Sequence, residues 1–173
     1  MAALERRDEF RALLQNLAES LDISDSQYEA AVKHYETVGE WLNKNDSPIA
    51  VHNPETYSQG SFRLGTMIKP INDADEYDID LVCELKNLQK ESVSHKQLKQ
   101  IVGDRLNENE LYRKRLAEGN RCWKLQYADS ARFHMDILPA IPTEIARSGL
   151  IPAASGAILI TDKELSSWQL SNP

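Results

Sequence analysis

Residues 59 to 82 read QGSFRLGTMIKPINDADEYDIDLV, with five carboxylates between Asp73 and Asp80 directly ahead of an apolar run. Carboxylates repel, and burying one unpaired is costly, so a positive group is expected nearby. Alternate side chains of a strand share a face. A strand over Tyr77 to Leu85 therefore aims Asp78 and Asp80 the same way, about 7 Å apart, while Tyr77, Ile79 and Leu81 enter a core. The segment RFHMDILPA repeats the pattern: Phe133, Met135 and Ile137 face one way, His134 and Asp136 the other. If the two strands are neighbours, three aspartates converge, which is a donor set for a hard divalent cation such as Mg2+ or Mn2+. Upstream, Gly60 permits close backbone approach, and Ser61 at a helix start offers amides and a hydroxyl to an anion. A phosphate there beside a cation held by Asp78, Asp80 and Asp136 describes a nucleoside-triphosphate site, where two metals align a hydroxyl and stabilise leaving pyrophosphate.

Blander readings compete. Asp73, Asp75 and Glu76 read as a solvated acidic loop. A calcium loop beginning at Asp73 fails, because Tyr77 stands where an oxygen ligand belongs and no glycine makes the turn. Ion pairing with Lys or Arg is the alternative for the strand aspartates. Gln59 reads equally as a nucleotide contact or a loop residue. His134 reads as a hydrogen-bonded sheet histidine or a metal neighbour, and Lys69 and Arg63 as solvated cations or phosphate contacts.

The elements that position these groups follow from periodicity and caps. Phe10, Leu13, Leu14, Leu17 and Leu21 recur at helical spacing, and so do Tyr28, Val32, Tyr35, Val38 and Leu42 after a Ser24/Gln27 capping box. Both stripes are expected in the core, with Trp41 and Trp123. A short helix is expected from Ser61, as its N-cap, to Ile68. Ser94 and Gln97 start a helix running to about Asn109, and a shorter one covers Leu111 to Ala117. Strands follow at Cys122 to Ala128 and Phe133 to Leu138 around a turn at Asp129–Ser130. Loop begins at Pro139 and Pro142, and a last strand covers Ala157 to Ile160. This is an α+β arrangement: two N-terminal helices over 1–48, then a lobe over 49–173 built from a small mixed β-sheet packed with helices.

With 173 residues, 41% hydrophobic and 27% charged, the chain suits one domain with a real core. A net charge of −7 argues against coating a large nucleic acid. The start MAALERRDEF lacks the apolar core of a signal peptide, and no 18-residue apolar run occurs. Cys83 and Cys122 therefore read as buried reduced thiols, and a cytoplasmic protein without a membrane partner is expected.

GSFRLGT, YDIDLV and HMDILPA together resemble the polymerase-β-type nucleotidyltransferase superfamily. Within it, they are similar to the bacterial cyclic GMP-AMP synthase-like enzymes (CD-NTases, SMODS-domain synthases). The resemblance spans Tyr57 to Pro142, with a weaker echo in ELSSWQLSNP. It implies that Gly60 and Ser61 hold the triphosphate. It also implies that Asp78, Asp80 and Asp136 bind two Mg2+ ions, with Asp136 nearest the attacking hydroxyl. The implied product is a cyclic di- or trinucleotide that activates an effector during phage infection. The spacer between Ser61 and Asp78 is longer than in many such enzymes. The family's C-terminal helical lobe is expected to be missing from this chain, leaving Trp168 without its packing partner.

Overall fold

A computed structural model describes residues 2–69, 72, 76–127, 133–144 and 156–173. The expectations for Asp73, Asp75 and the Asp129–Ser130 turn fall outside them. The elements in chain order are α1 (Ala2–Leu21), α2 (Asp25–Leu42), a 3-10 turn (Ala50–His52), β1 (Pro54–Gln59), α3 (Gly60–Leu64), β2 (Tyr77–Leu85) and α4 (His95–Asn107). There follow α5 (Glu110–Arg113), β3 (Leu116–Glu118), β4 (Trp123–Tyr127), β5 (Phe133–Pro142), β6 (Ile158–Asp162) and β7 (Ser167–Ser171). The fold class is α+β. No helix among the described residues is long and apolar enough to cross a membrane.

The sheet runs β1-β2-β5-β4-β3, with β6 on β5 and β7 on β6. β2 and β5 are parallel, and the other described pairs are antiparallel. The central pair is buried as alternation requires: Ile79, Leu81, Phe133, Met135 and Ile137 are all inaccessible to solvent. α4 lays Leu98, Val102 and Leu106 on that face, and α2 adds Ala31, Val38 and Leu42 to the same core. Both helices start as the capping boxes require. Ser24 Oγ accepts from the Gln27 amide and Gln27 Oε1 from the Ser24 amide, and Ser94 and Gln97 repeat the exchange.

The structure corrects several expectations. The α1 stripe is not core: Phe10, Leu13, Leu14 and Leu17 are 62, 63, 50 and 52% exposed. Periodicity identifies an amphipathic helix but not what covers it. Only the end of α1 is tied down among the described residues, through Asp22 bridging Ile68 and the Lys69 amide donating to Leu21 O. Tyr28 is also exposed, though its ring leans on Phe62. Leu116 to Glu118 form strand, not helix, because they complete pairing with Trp123 to Leu125. Tertiary pairing overrides a weak local preference there. β5 runs on through Pro139 to Pro142. Pro139 keeps its place opposite Cys83 in the β2 ladder, while on the other edge of β5 the pairing to β4 ends at Ile137 and the pairing to β6 begins at Ala140. Trp168 packs against the main core, with its ring 6.3 Å from His95.

A reciprocal clasp joins α2 to α4. Buried Arg105 donates to Trp41 O from Nε and Nη2 at 3.3 and 2.8 Å, and pairs with Glu108 at 2.6 Å. Its guanidinium lies 3.7 Å over the Trp41 ring, whose indole N–H donates to Arg105 O. Arg105→Ala should remove the stacking and leave Trp41 O short of a donor, lowering unfolding free energy by about 3 kcal/mol. Urea denaturation measures this. A change below about 1 kcal/mol would show that α2 is held by its apolar contacts alone.

Candidate active site

β2 and β5 lie side by side in a register that pairs Asp80 with Asp136 and Asp78 with His134. Strand alternation therefore brings all four side chains to the sheet face opposite the α4 core. β1 runs along the other edge of β2 with Gln59 opposite Asp80, so the chain turns into α3 beside the aspartates. Gly60 makes that turn at φ 64, and a Cβ there would stand 2.4 Å from Asp80 Oδ2. Only glycine accommodates both the left-handed backbone and the carboxylate against it.

α3 differs from expectation. It covers Gly60–Leu64, with Gln59 rather than Ser61 at the N-cap and no side-chain cap bond, and Gly65 in a left-handed conformation ends it before Ile68. Ser61 lies in the first turn. It lines a cleft of about 280 Å3 together with Thr66, Lys69, Glu76 and Asp78. The serine, one of the strand aspartates and a lysine thus open onto one space.

The carboxylates sit in contrasting surroundings. Asp78 is 61% exposed, and its Oδ1 lies 2.7 Å from His134 Nε2. His134 Nδ1 in turn meets Glu76 Oε2 at 3.2 Å, so Glu76 is a partner of the sheet histidine and not merely a solvated loop acid. Asp136 is 18% exposed. Its Oδ2 accepts from Lys124 Nζ and Cys122 Sγ, both at 3.1 Å. Its Oδ1 is buried and lacks an aligned hydrogen bond, although Lys124 Nζ stands 3.1 Å away. Burial first, and then the Asp136 charge, pushes the Cys122 thiol up to about 12.

Burial, and then the charges of Asp136 and Asp78, raise the Asp80 carboxyl above its ordinary range, with only partial relief from His134 and Lys124. Folding thus favours the protonated form of Asp80. Its penalty is absent below the ordinary aspartate pKa of about 3.9 and develops as pH rises through the elevated value. Without metal, Asp80→Asn should melt above the parent at neutral pH, with the difference closing under acid. A variant that melts no higher at any pH would show that Asp80 makes net attractive contacts.

The donor set suits a hard cation: three oxygen ligands on one face, one carboxyl forced toward protonation, and one buried oxygen without an aligned donor. As placed, the side chains turn instead to Lys124 and His134. Among the described residues no three His, Cys, Asp or Glu side chains are gathered as an ion's cage. Sequence reasoning missed Lys124 and the contact of Cys122 with Asp136. Cys122 immediately precedes β4 and Lys124 lies within it, but only the Lys124–Asp136 register reveals the pairing.

Comparison with known proteins bears on this arrangement. Residues 54–139, from the start of β1 to Pro139 in β5, match the family model of the cyclic GMP-AMP synthase DncV-like nucleotidyltransferase domain. The chain carries a DncV-like nucleotidyltransferase domain. It is 31% identical over 160 residues to the c-di-GMP synthase of Roseivirga ehrenbergii, covering 92% of this chain and 40% of that protein. It is 29% identical to the cyclic dinucleotide synthase CdnG of Bradyrhizobium diazoefficiens, covering 85% and 34%. The structure of the Bradyrhizobium diazoefficiens CD-NTase CdnG in complex with GTP superposes with a TM-score of 0.72 at 22% identity, over 93% of this chain and 42% of that one. The chain spans about two-fifths or less of the length of these curated relatives. The matched residues include β2 and the part of β5 up to Pro139, the strands that carry Asp78, Asp80 and Asp136.

Proposed function

We propose that the protein is a metal-dependent nucleotidyltransferase that joins nucleoside triphosphates into a cyclic oligonucleotide signal. The observation that carries this reading is the in-register placement of Asp80 and Asp136 on adjacent parallel strands, with Asp78 on the same face and Gly60 packed against Asp80. The names of the relatives support it: a c-di-GMP synthase, a cyclic dinucleotide synthase and a CD-NTase that binds GTP.

In this reading Asp78, Asp80 and Asp136 hold Mg2+ or Mn2+, which supplies Lewis-acid activation of the attacking hydroxyl and charge neutralisation of pyrophosphate. Gln59, Gly60 and Ser61 hold the triphosphate at the turn out of β1, and Ser61 shares its cleft with Lys69. Gly60 keeps that turn close to Asp80, so substrate and cation ligands are positioned by one backbone bend. Asp136 would be the cation ligand nearest the attacking hydroxyl. The product would act through a separate effector in defence against phage.

The test is incubation of the natural gene product with labelled GTP, ATP, CTP and UTP in Mg2+ or Mn2+, followed by phosphatase and chromatography. A phosphatase-resistant product that needs metal is expected. A product that loses only terminal phosphates to phosphatase, and so changes its mobility, would mean a linear oligonucleotide. Nucleotide binding without pyrophosphate release would mean a non-catalytic nucleotide-binding module.

A further inference from the structure

We propose that Lys124 is the resident counter-ion of the aspartate site, and that a divalent cation must displace its ammonium from Asp136. This rests on the metal-dependent reading above and adds to it a residue that sets how readily the cation enters.

Lys124 stands directly across from Asp136 in the β4–β5 ladder, so its stem starts at a fixed place beside the carboxylate. Its ammonium is 3.1 Å from both Asp136 oxygens and 3.4 Å from His134 Nε2. It therefore bridges the carboxylate, bonded to Oδ2 and equally close to Oδ1, the buried oxygen with no aligned hydrogen bond. A divalent ion bound to that oxygen would meet the ammonium at contact distance, and two cations there repel strongly in a partly buried setting. Asp136 cannot serve both fully. The lysine side chain is 37% exposed and its stem has four carbons, so it has a way out toward solvent.

Two consequences follow. Without metal, Lys124 offsets the mutual repulsion of Asp78, Asp80 and Asp136, which lets three carboxylates share one face of a folded sheet. Metal alone must separate an ion pair before it binds, so its affinity is lowered. A nucleotide brings phosphate oxygens that can receive the displaced ammonium, and cation and nucleotide then favour each other's binding. Lys124 is accordingly a positioning residue, acting through Asp136.

The experiment is titration of the natural gene product with Mn2+ without nucleotide, followed by calorimetry, for the parent, Lys124→Met, Lys124→Gln and Lys124→Arg, with Asp136→Asn to identify the site. Far-UV circular dichroism establishes that each variant is folded, and either neutral variant suffices. The neutral variants should bind Mn2+ at least tenfold more tightly than the parent, and the arginine variant should not. A non-hydrolysable nucleoside triphosphate should tighten Mn2+ binding more in the parent than in the neutral variants. If the parent binds Mn2+ through Asp136 and the neutral variants bind no more tightly, Lys124 does not compete, and the metal-dependent reading stands without it. If neither parent nor neutral variants show Mn2+ binding that depends on Asp136, both are overturned.

Discussion

Asp136→Asn in the natural gene product is expected to cut product formation by at least about a hundredfold, on the order of 2.7 kcal/mol in barrier, while leaving much of the nucleotide binding intact. The asparagine keeps the shape of the side chain but loses the charge that would hold a cation beside the attacking hydroxyl. That cation stabilises charge developing chiefly in the transition state, so rate should suffer more than affinity. Gln59, Gly60, Ser61 and the cation on Asp78 and Asp80 would still grip the triphosphate. Single-turnover rates and nucleotide dissociation constants separate the two effects. Equal rates for parent and variant would make Asp136 a structural partner of Lys124 and Cys122.

Gly60→Ala should be nearly as damaging, and Gly65→Ala provides its control. Both glycines have φ 64, so an alanine at either carries a similar backbone penalty, about 1–2 kcal/mol. Their surroundings differ. A Cβ on Gly60 would stand 2.4 Å from Asp80 Oδ2, whereas one on Gly65 meets nothing within 4 Å. The Gly60 variant must move either the aspartate or the turn that leads to Ser61. A displacement of about 1 Å in positioning groups costs around a hundredfold in rate. Both variants should therefore lose similar stability in thermal melts, but only Gly60→Ala should lose activity. Full activity in Gly60→Ala would mean that the contact with Asp80 has no part in positioning.

What could be read in the sequence follows from which forces are local. β2 was legible from Tyr77 to Leu85 because alternation and burial agree at every residue up to Leu81. The shared face of His134 and Asp136 was legible for the same reason. The starts of α2 and α4 were legible because a capping box is a contact between residues three apart. Lys124 was not legible as a partner of Asp136, since that pairing depends on cross-strand register, which no local pattern encodes. β7 was missed because SWQLS is polar and short, and is strand only through its pairing with β6. Pro139 misled for a physical reason: proline disfavours strand interiors, but β5 is held past it by the β2 ladder on one edge and, from Ala140, by β6 on the other. The apolar stripe of α1 was read correctly as a stripe and wrongly as buried, because amphipathicity does not specify what it packs against.

The parallel pairing of β2 with β5 also sets when the site comes into being. Asp78 and Asp80 leave the ribosome well before Asp136, and at translation speeds of about 5–20 residues per second the interval is measured in seconds. In that interval α4, β3 and β4 are made, while β2 has no parallel neighbour. The contact that completes the carboxylate set is therefore one of high sequence separation, the kind that closes slowly. An ion that needs all three aspartates finds no template in the nascent chain. It can only select the finished sheet, acting on the folded population by mass action and not on the route that leads there.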